Sequence, residues 1–246
     1  MPGIRARLAG AAVLVALTGA LGGSAVYGQS AGATAFVAAH GTRAHAAAPA
    51  SIDDFFAAAA LQQADVPDGL QPAEQGDLSP DMIAAQGVPG IADMLSSSGF
   101  LQGYQQGFAA ADRGAVLNGG PAGVGDLIIV FSSADGASAW NAFEQQNATN
   151  VGQQAANTTG VNISLNGSTP LDLPALGDES SAVELSGSAT VAGLPVPVVV
   201  DIAFVRRGAV QYTVVAAALT SQADLLQQVA TTLDAKVAAA LPLLNQ

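Results

Sequence analysis

A chain of 246 residues, 50% hydrophobic and only 11% charged, holds enough apolar material for one well-buried core, and its net charge of −12 supplies the repulsion that keeps so sparsely charged a surface in solution. The charge is lopsided: every Asp and Glu lies after position 50, and setting aside Arg5, Arg7 and Arg43 leaves four basic against nineteen acidic residues, a net −15 that repels nucleic acid and anionic membranes. No cysteine is present, which excludes disulfides, thiolate chemistry, cysteine-ligated zinc and a lipid attached through sulfur.

Residues 1–28 have the layout of an export signal: Arg5 and Arg7, an apolar run from Leu8 to Leu21, then small residues up to Gly28. Cleavage fits near Val26-Tyr27-Gly28, with Ala44-His45-Ala46 as a second position. The alternative is an uncleaved anchor, since Leu8 to Tyr27 is about long enough to span a bilayer. Residues 29–50 read as a disordered small-residue linker and residues 51–246 as a single folded domain.

Ser51-Ile-Asp-Asp54 is a helix start of capping-box type, followed by an apolar stripe of Ile52, Phe55, Phe56 and Leu61. Ala64 to Pro80, rich in Pro, Gly and Asp, predicts loop or irregular strand, and Gly87, Pro89 and Gly90 keep any helices between Met82 and Leu95 short. Phe100, Tyr104 and Phe108 fall on one face of a strand, because Gly103 and Gly107 disfavour a helix. A loop from Asn118 to Gly125 leads into a buried strand, Asp126 to Ser132, and Ser133 or Asp135 caps a helix with Ala137, Trp140, Phe143 and Asn147 along one stripe. Asn147 to Pro170 predicts a surface excursion with one short strand at Val161 to Leu165.

Ser181 to Ala218 carries the strongest signal. Val183, Leu185, Ala189 and Val191 alternate with polar residues; Val196, Val198, Val200, Ile202 and Phe204 follow, and then Val210, Tyr212, Val214 and Ala216. Two short Gly-containing turns make these an antiparallel meander with a shared apolar underside. A last helix, started by a Ser221/Asp224 capping box and striped by Leu226, Val229, Leu233, Val237 and Leu241, lies over that underside and stops near Pro242. The fold class is α+β: an antiparallel β-sheet of about five or more strands covered by helices.

Gly103-Tyr104 before a strand, Val130-Phe131 before a helix with Ala137, Gly177-Asp178-Glu179 entering a strand, and the Phe204-Val-Arg-Arg-Gly208 hairpin together resemble a set of uncharacterised secreted bacterial α+β proteins, and the PsbP/Mog1-like fold of some exported actinobacterial proteins. The resemblance spans roughly Leu61 to Leu241. It implies the fold, and it implies no activity, cofactor or catalytic residue.

Histidine occurs only as His40 and His45, so the folded part lacks the imidazole of a Ser-His-Asp triad or of a zinc site. Gly119 to Gly125 precedes a strand and has no Lys, so it reads as a flexible loop and not a phosphate cradle. Carboxylates are the abundant chemical groups: Asp178, Glu179 and Glu184 are close in sequence, and Asp201 interrupts an apolar strand. Paired acids can cleave glycosides beside aromatic platforms, but aromatics are only 5% of the chain, so solvated carboxylates are the plainer reading. Asp65-Val-Pro-Asp68-Gly lacks the alternating ligands of a calcium loop. Arg206 and Arg207 are either recognition residues for a partner's carboxylate or turn residues paired with neighbouring acids. Asn147, Asn157, Asn162 and Asn166 match the glycosylation acceptor pattern, as chance provides in an Asn/Thr-rich tract.

These readings predict an exported, non-enzymatic binding or interaction module of the bacterial cell envelope. It needs no cofactor and no metal, its partner is an unknown protein or small molecule outside the cytoplasm, and it meets a membrane only through an uncleaved leader. One alternative is a carrier of small apolar ligands such as lipids, its cavity enclosed by the sheet and the helices around Trp140 and Val229. The other is a carboxylate-dependent hydrolase.

Overall fold

A computed structural model of the protein describes residues 51–85, 88–157, 162–191 and 194–245. The expected leader, the linker, His40 and His45 lie outside the described residues. The elements in chain order are α1 (Ile52–Ala59), β1 (Leu70–Leu78), α2 (Pro80–Ala84), α3 (Ile91–Ser98), β2 (Phe100–Ala110), α4 (Arg113–Leu117), β3 (Gly123–Phe131), α5 (Ala134–Asn157), β4 (Asn162–Leu171), β5 (Glu179–Val191), β6 (Leu194–Arg207), β7 (Val210–Ala218) and α6 (Ala223–Ala240). Short 3₁₀ turns lie at Gln63–Asp65 and Leu241–Asn245.

The strands form one antiparallel sheet in the order β1-β2-β3-β7-β6-β5-β4, with helices on both faces, so the α+β class is as the alternation predicts. Ser51 caps α1 as expected: its Oγ accepts from the Asp54 N–H, and the Asp54 carboxylate accepts from the Ser51 N–H at 2.7 Å.

The Pro/Gly/Asp-rich stretch after Ala64 yields the irregular strand its composition allows: β1, an edge strand whose bulge between Pro72 and Glu74 absorbs the proline. Three local expectations change, each for a physical reason. A register shift between Phe100 and Gln102 turns Phe100 to the opposite face from Tyr104 and Phe108, where it packs edge-on to Phe131. Helix α5 runs on to Asn157 because the Asn/Gln/Ala tract after Asn147 tolerates helix while Ala148 keeps the stripe on the sheet. Strand β4 is a full ten residues, held by buried Ile163 and Leu165.

The larger correction concerns the apolar underside. Paired residues share a face, so Val183, Leu185, Val200, Ile202 and Phe204 stand with Val215 and Ala217 against α5, whereas Val210, Tyr212, Val214 and Ala216 point the other way, towards α6. The two apolar sets of the meander therefore lie on opposite faces, and β7 is buried along all nine residues. Helices on both faces follow from this.

On the α6 face, Leu226, Val229, Leu233 and Val237 pack with Phe55 and Phe56 of α1 over Phe108, Ile128 and Tyr212. On the α5 face the core is in two parts. Trp140 packs with Ile129, Phe131 and the residues of α2 and α3; further along the helix, Ala148 packs with Leu185, Val200 and Ile202. Trp140→Ala empties a fully buried site and should lower stability by about 3–5 kcal/mol in urea unfolding, whereas Leu117→Ala, at a side chain 64% exposed, should stay within about 0.5 kcal/mol of the parent.

Candidate functional site

Arg206 and Arg207 end β6, and as successive strand residues they point to opposite faces. On the α5 face, Arg206 donates to Asp178 (3.1 Å), Glu179 (3.0 Å) and the Gly208 carbonyl (3.2 Å). Ser138 and Asn141 of α5 also donate to Glu179, and the Arg206 bonds first, then these, hold the Glu179 carboxyl below the usual range. Gly177 makes this corner possible: at φ +56° it crosses Arg206 so closely that a Cβ would lie 2.3 Å from the Arg206 carbonyl. On the α6 face, Arg207 forks onto Asp234 with contacts of 2.8–3.0 Å, and the Tyr212 hydroxyl donates to the same carboxylate. Both guanidinium groups are thus engaged within the chain, their side chains 13% and 29% exposed.

The corner continues inward as a polar seam between α5 and β7. Glu144, one helical turn from Trp140 and one from Ala148, lies between the two apolar clusters of this face. Its Oε2 accepts from Gln211 Nε2 (2.6 Å) and Thr213 Oγ1 (3.0 Å). Burial nonetheless raises its carboxyl to about 7, against the pull of those bonds.

A second buried acid stands on the other face. Asp126 is central in β3, opposite Gln106 and Val214, because the strand begins at Gly123 and not at Asp126 as the sequence predicts. It is fully buried, and burial raises it to about 8, partly offset by hydrogen bonding from the Leu61 backbone amide and by Lys236. Lys236 of α6 donates to Asp65 at 2.5 Å, and Asp65 also accepts from the Gln62 N–H.

The third buried acid, Asp201, sits directly across from Glu184 on the α6 face. It replaces the expected Ser221/Asp224 box at the start of α6: its Oδ2 accepts from the Gln222 N–H (2.5 Å) and Ser221 Oγ (3.2 Å), and Gln222 makes no side-chain cap. Gly119, with φ +92°, follows the end of α4, and Gly123 and Gly125 are already strand. A cleft of about 330 Å³ lies where α3 meets the start of α5, lined by Met94, Ser97, Ser98, Ser132, Ser133 and Asp135. Its tight floor is set by Gly136, where a Cβ would lie 1.8 Å from the Ser98 carbonyl.

Sequence reasoning found Arg206, Arg207, Asp178, Glu179, Glu184 and Asp201 but missed Glu144, Asp126 and Lys236 as a set. The available signals were Glu144 falling four residues after Trp140 on the apolar stripe, and Lys236 being the one lysine in the chain.

No family model and no curated protein matches the chain, so the PsbP/Mog1-like resemblance finds no support there. Among solved structures, the extracellular domain of PknH from Mycobacterium tuberculosis is similar at a TM-score of 0.46 and 15% identity, over 74% of this chain and 94% of that one.

A carboxyl whose pKa is higher folded than unfolded keeps its proton while the unfolded chain releases it, so rising pH favours the unfolded state between the two values. For Asp126 that window runs from 3.8 to about 8 and for Glu144 from 4.5 to about 7. These two groups should make stability fall between those limits by an amount on the order of a few kcal/mol, and Asp126→Asn and Glu144→Gln should each flatten the slope in urea titrations at stepped pH. Asp201→Ala should cost about 0.5–2 kcal/mol through loss of the α6 cap, read in the same assay.

Proposed function

We propose that the chain is a non-catalytic binding or interaction module acting outside the cytoplasm, at the cell envelope. The observation that carries this reading is that Asp178, Glu179, Asp201 and Asp234 are committed to holding the fold together. Asp178 and Glu179 bind Arg206, Asp234 binds Arg207 and Tyr212, and Asp201 caps a helix. Glu184 and Asp201 are neighbours by register, yet one oxygen of Asp201 is bonded to a helix start and the residue is fully buried. A hydrolase would need that pair open to a substrate and to water.

The carrier alternative is less well supported. Trp140 and Val229, expected on the wall of one cavity, are each 1% exposed and belong to clusters on opposite faces of the sheet. One space cannot be lined by both. Export rests on the order of Arg5 and Arg7, apolar run and small residues at the start of the chain.

Native mass spectrometry of the protein purified from its own host tests the binding class, and cell fractionation with intact-mass measurement tests the location. The expected result is an extracytoplasmic chain that starts after the leader and carries no apolar ligand. A reproducible co-purifying lipid would establish the carrier instead, and a chain retained in the cytoplasm would overturn the proposed location.

A further inference from the structure

Lys236 is the one lysine of the chain, and it sits 22% exposed on the flank of α6 that meets the sheet, its Nζ 2.5 Å from Asp65 Oδ2. Asp65, 19% exposed, belongs to the turn that follows α1. Asp126 faces the same place from the middle of β3. It is 0% exposed, the Leu61 backbone amide lies close to its carboxyl, and Lys236 and Asp65 are the charged groups that act on it. Leu61, Phe108, Val124, Val214 and Leu233 belong to the apolar cluster of this face. An amine in contact with one carboxyl, beside a second carboxyl that burial keeps protonated at neutral pH, is the set of groups that direct amide formation between side chains requires.

We propose that Lys236 and Asp65 condense to a side-chain amide, an isopeptide cross-link, with Asp126 carrying the proton. Within this contact a proton passes from the ammonium to the Asp65 carboxylate, giving an amine and a carboxylic acid. The Nζ lone pair then attacks Asp65 Cγ and the C–N bond forms. Asp126 gives its proton to the departing carboxyl oxygen and recovers one from the nitrogen; the C–O bond breaks and one water leaves. Asp126 ends as it began, and no oxidant or other reactant enters.

The bond would tie the turn after α1 to the last helix, across 171 positions of sequence. In a chain without cysteine it does the work that a disulfide does elsewhere, restricting the unfolded state.

Mass spectrometry of the full-length folded chain decides the matter. The wild type should be one water lighter than its sequence, trypsin should fail to cut after Lys236, and tandem fragmentation should find a branched peptide joining Asp65 to Lys236. Lys236→Arg keeps the ion pair but cannot acylate in this way, so it should have its full sequence mass and unfold at a lower temperature. Asp126→Asn, confirmed as folded by circular dichroism, should accumulate the cross-link far more slowly. A wild-type chain that stays at full mass after prolonged incubation at neutral pH, with trypsin cutting after Lys236, would show an ordinary ion pair and overturn the proposal. A cross-link in Asp65→Ala would overturn the choice of partner, and an undiminished rate in Asp126→Asn would overturn the proton carrier.

Discussion

The complete burial of β7 is the constraint on which the rest of the architecture depends. A strand with apolar side chains on both faces cannot lie at the edge of a sheet or leave one face to water, so it takes the centre and requires a layer on each side. The chain meets this with the helices that follow the two central strands. Helix α5, after β3, crosses one face on its way to the far edge at β4; α6, after β7, turns back over the other. Antiparallel sheets often leave one face in water, and this one does not over its central strands.

Because both layers are apolar, every polar group caught between them has to be accounted for. Asp201 is accounted for by the helix start it caps, and Glu144 by Gln211 and Thr213. Of the three buried acids Asp126 is the least well provided, with both oxygens buried and no side-chain donor bonded to either. A carboxyl of this kind is kept where a surrounding fold overrides its cost, and its position beside the Lys236–Asp65 contact gives that cost a reason. The arginine corner works differently. Arg206 and Arg207 fasten the end of β6 to the β5 entry on one face and to α6 on the other, so a single dipeptide clamps both layers.

The legible parts of the fold were those set by local pattern. Alternation gave the three-stranded meander, Ser51 and Asp54 gave the first cap, and Leu226, Val229, Leu233 and Val237 gave the last helix. Relative facing was not legible, because it is set by hairpin register: Val210, Tyr212 and Val214 alternate with Gln211 and Thr213, but only the pairing of Phe204 with Thr213 puts that apolar set on the side away from Ile202 and Phe204. Phe100 went astray through a bulge that no residue pattern announces. Of the buried acids, Asp201 stood out as the charge interrupting an apolar strand. Asp126 did not, since with two glycines before it the strand looked as if it began there. Its link to Asp65 and Lys236 joins three distant parts of the chain, and no spacing in a single sequence encodes that.

The strand order has a temporal side as well. Strands β1, β2 and β3 are made first and can pair with one another, but the open side of β3 faces nothing until β7, the final strand, has been synthesised. For most of its birth the molecule is half a sheet with an unpaired apolar margin, inviting contact with any extended chain nearby. Such a protein profits from being held unfolded until its whole length is available, and a version shortened at its carboxyl end would be left with that margin permanently bare.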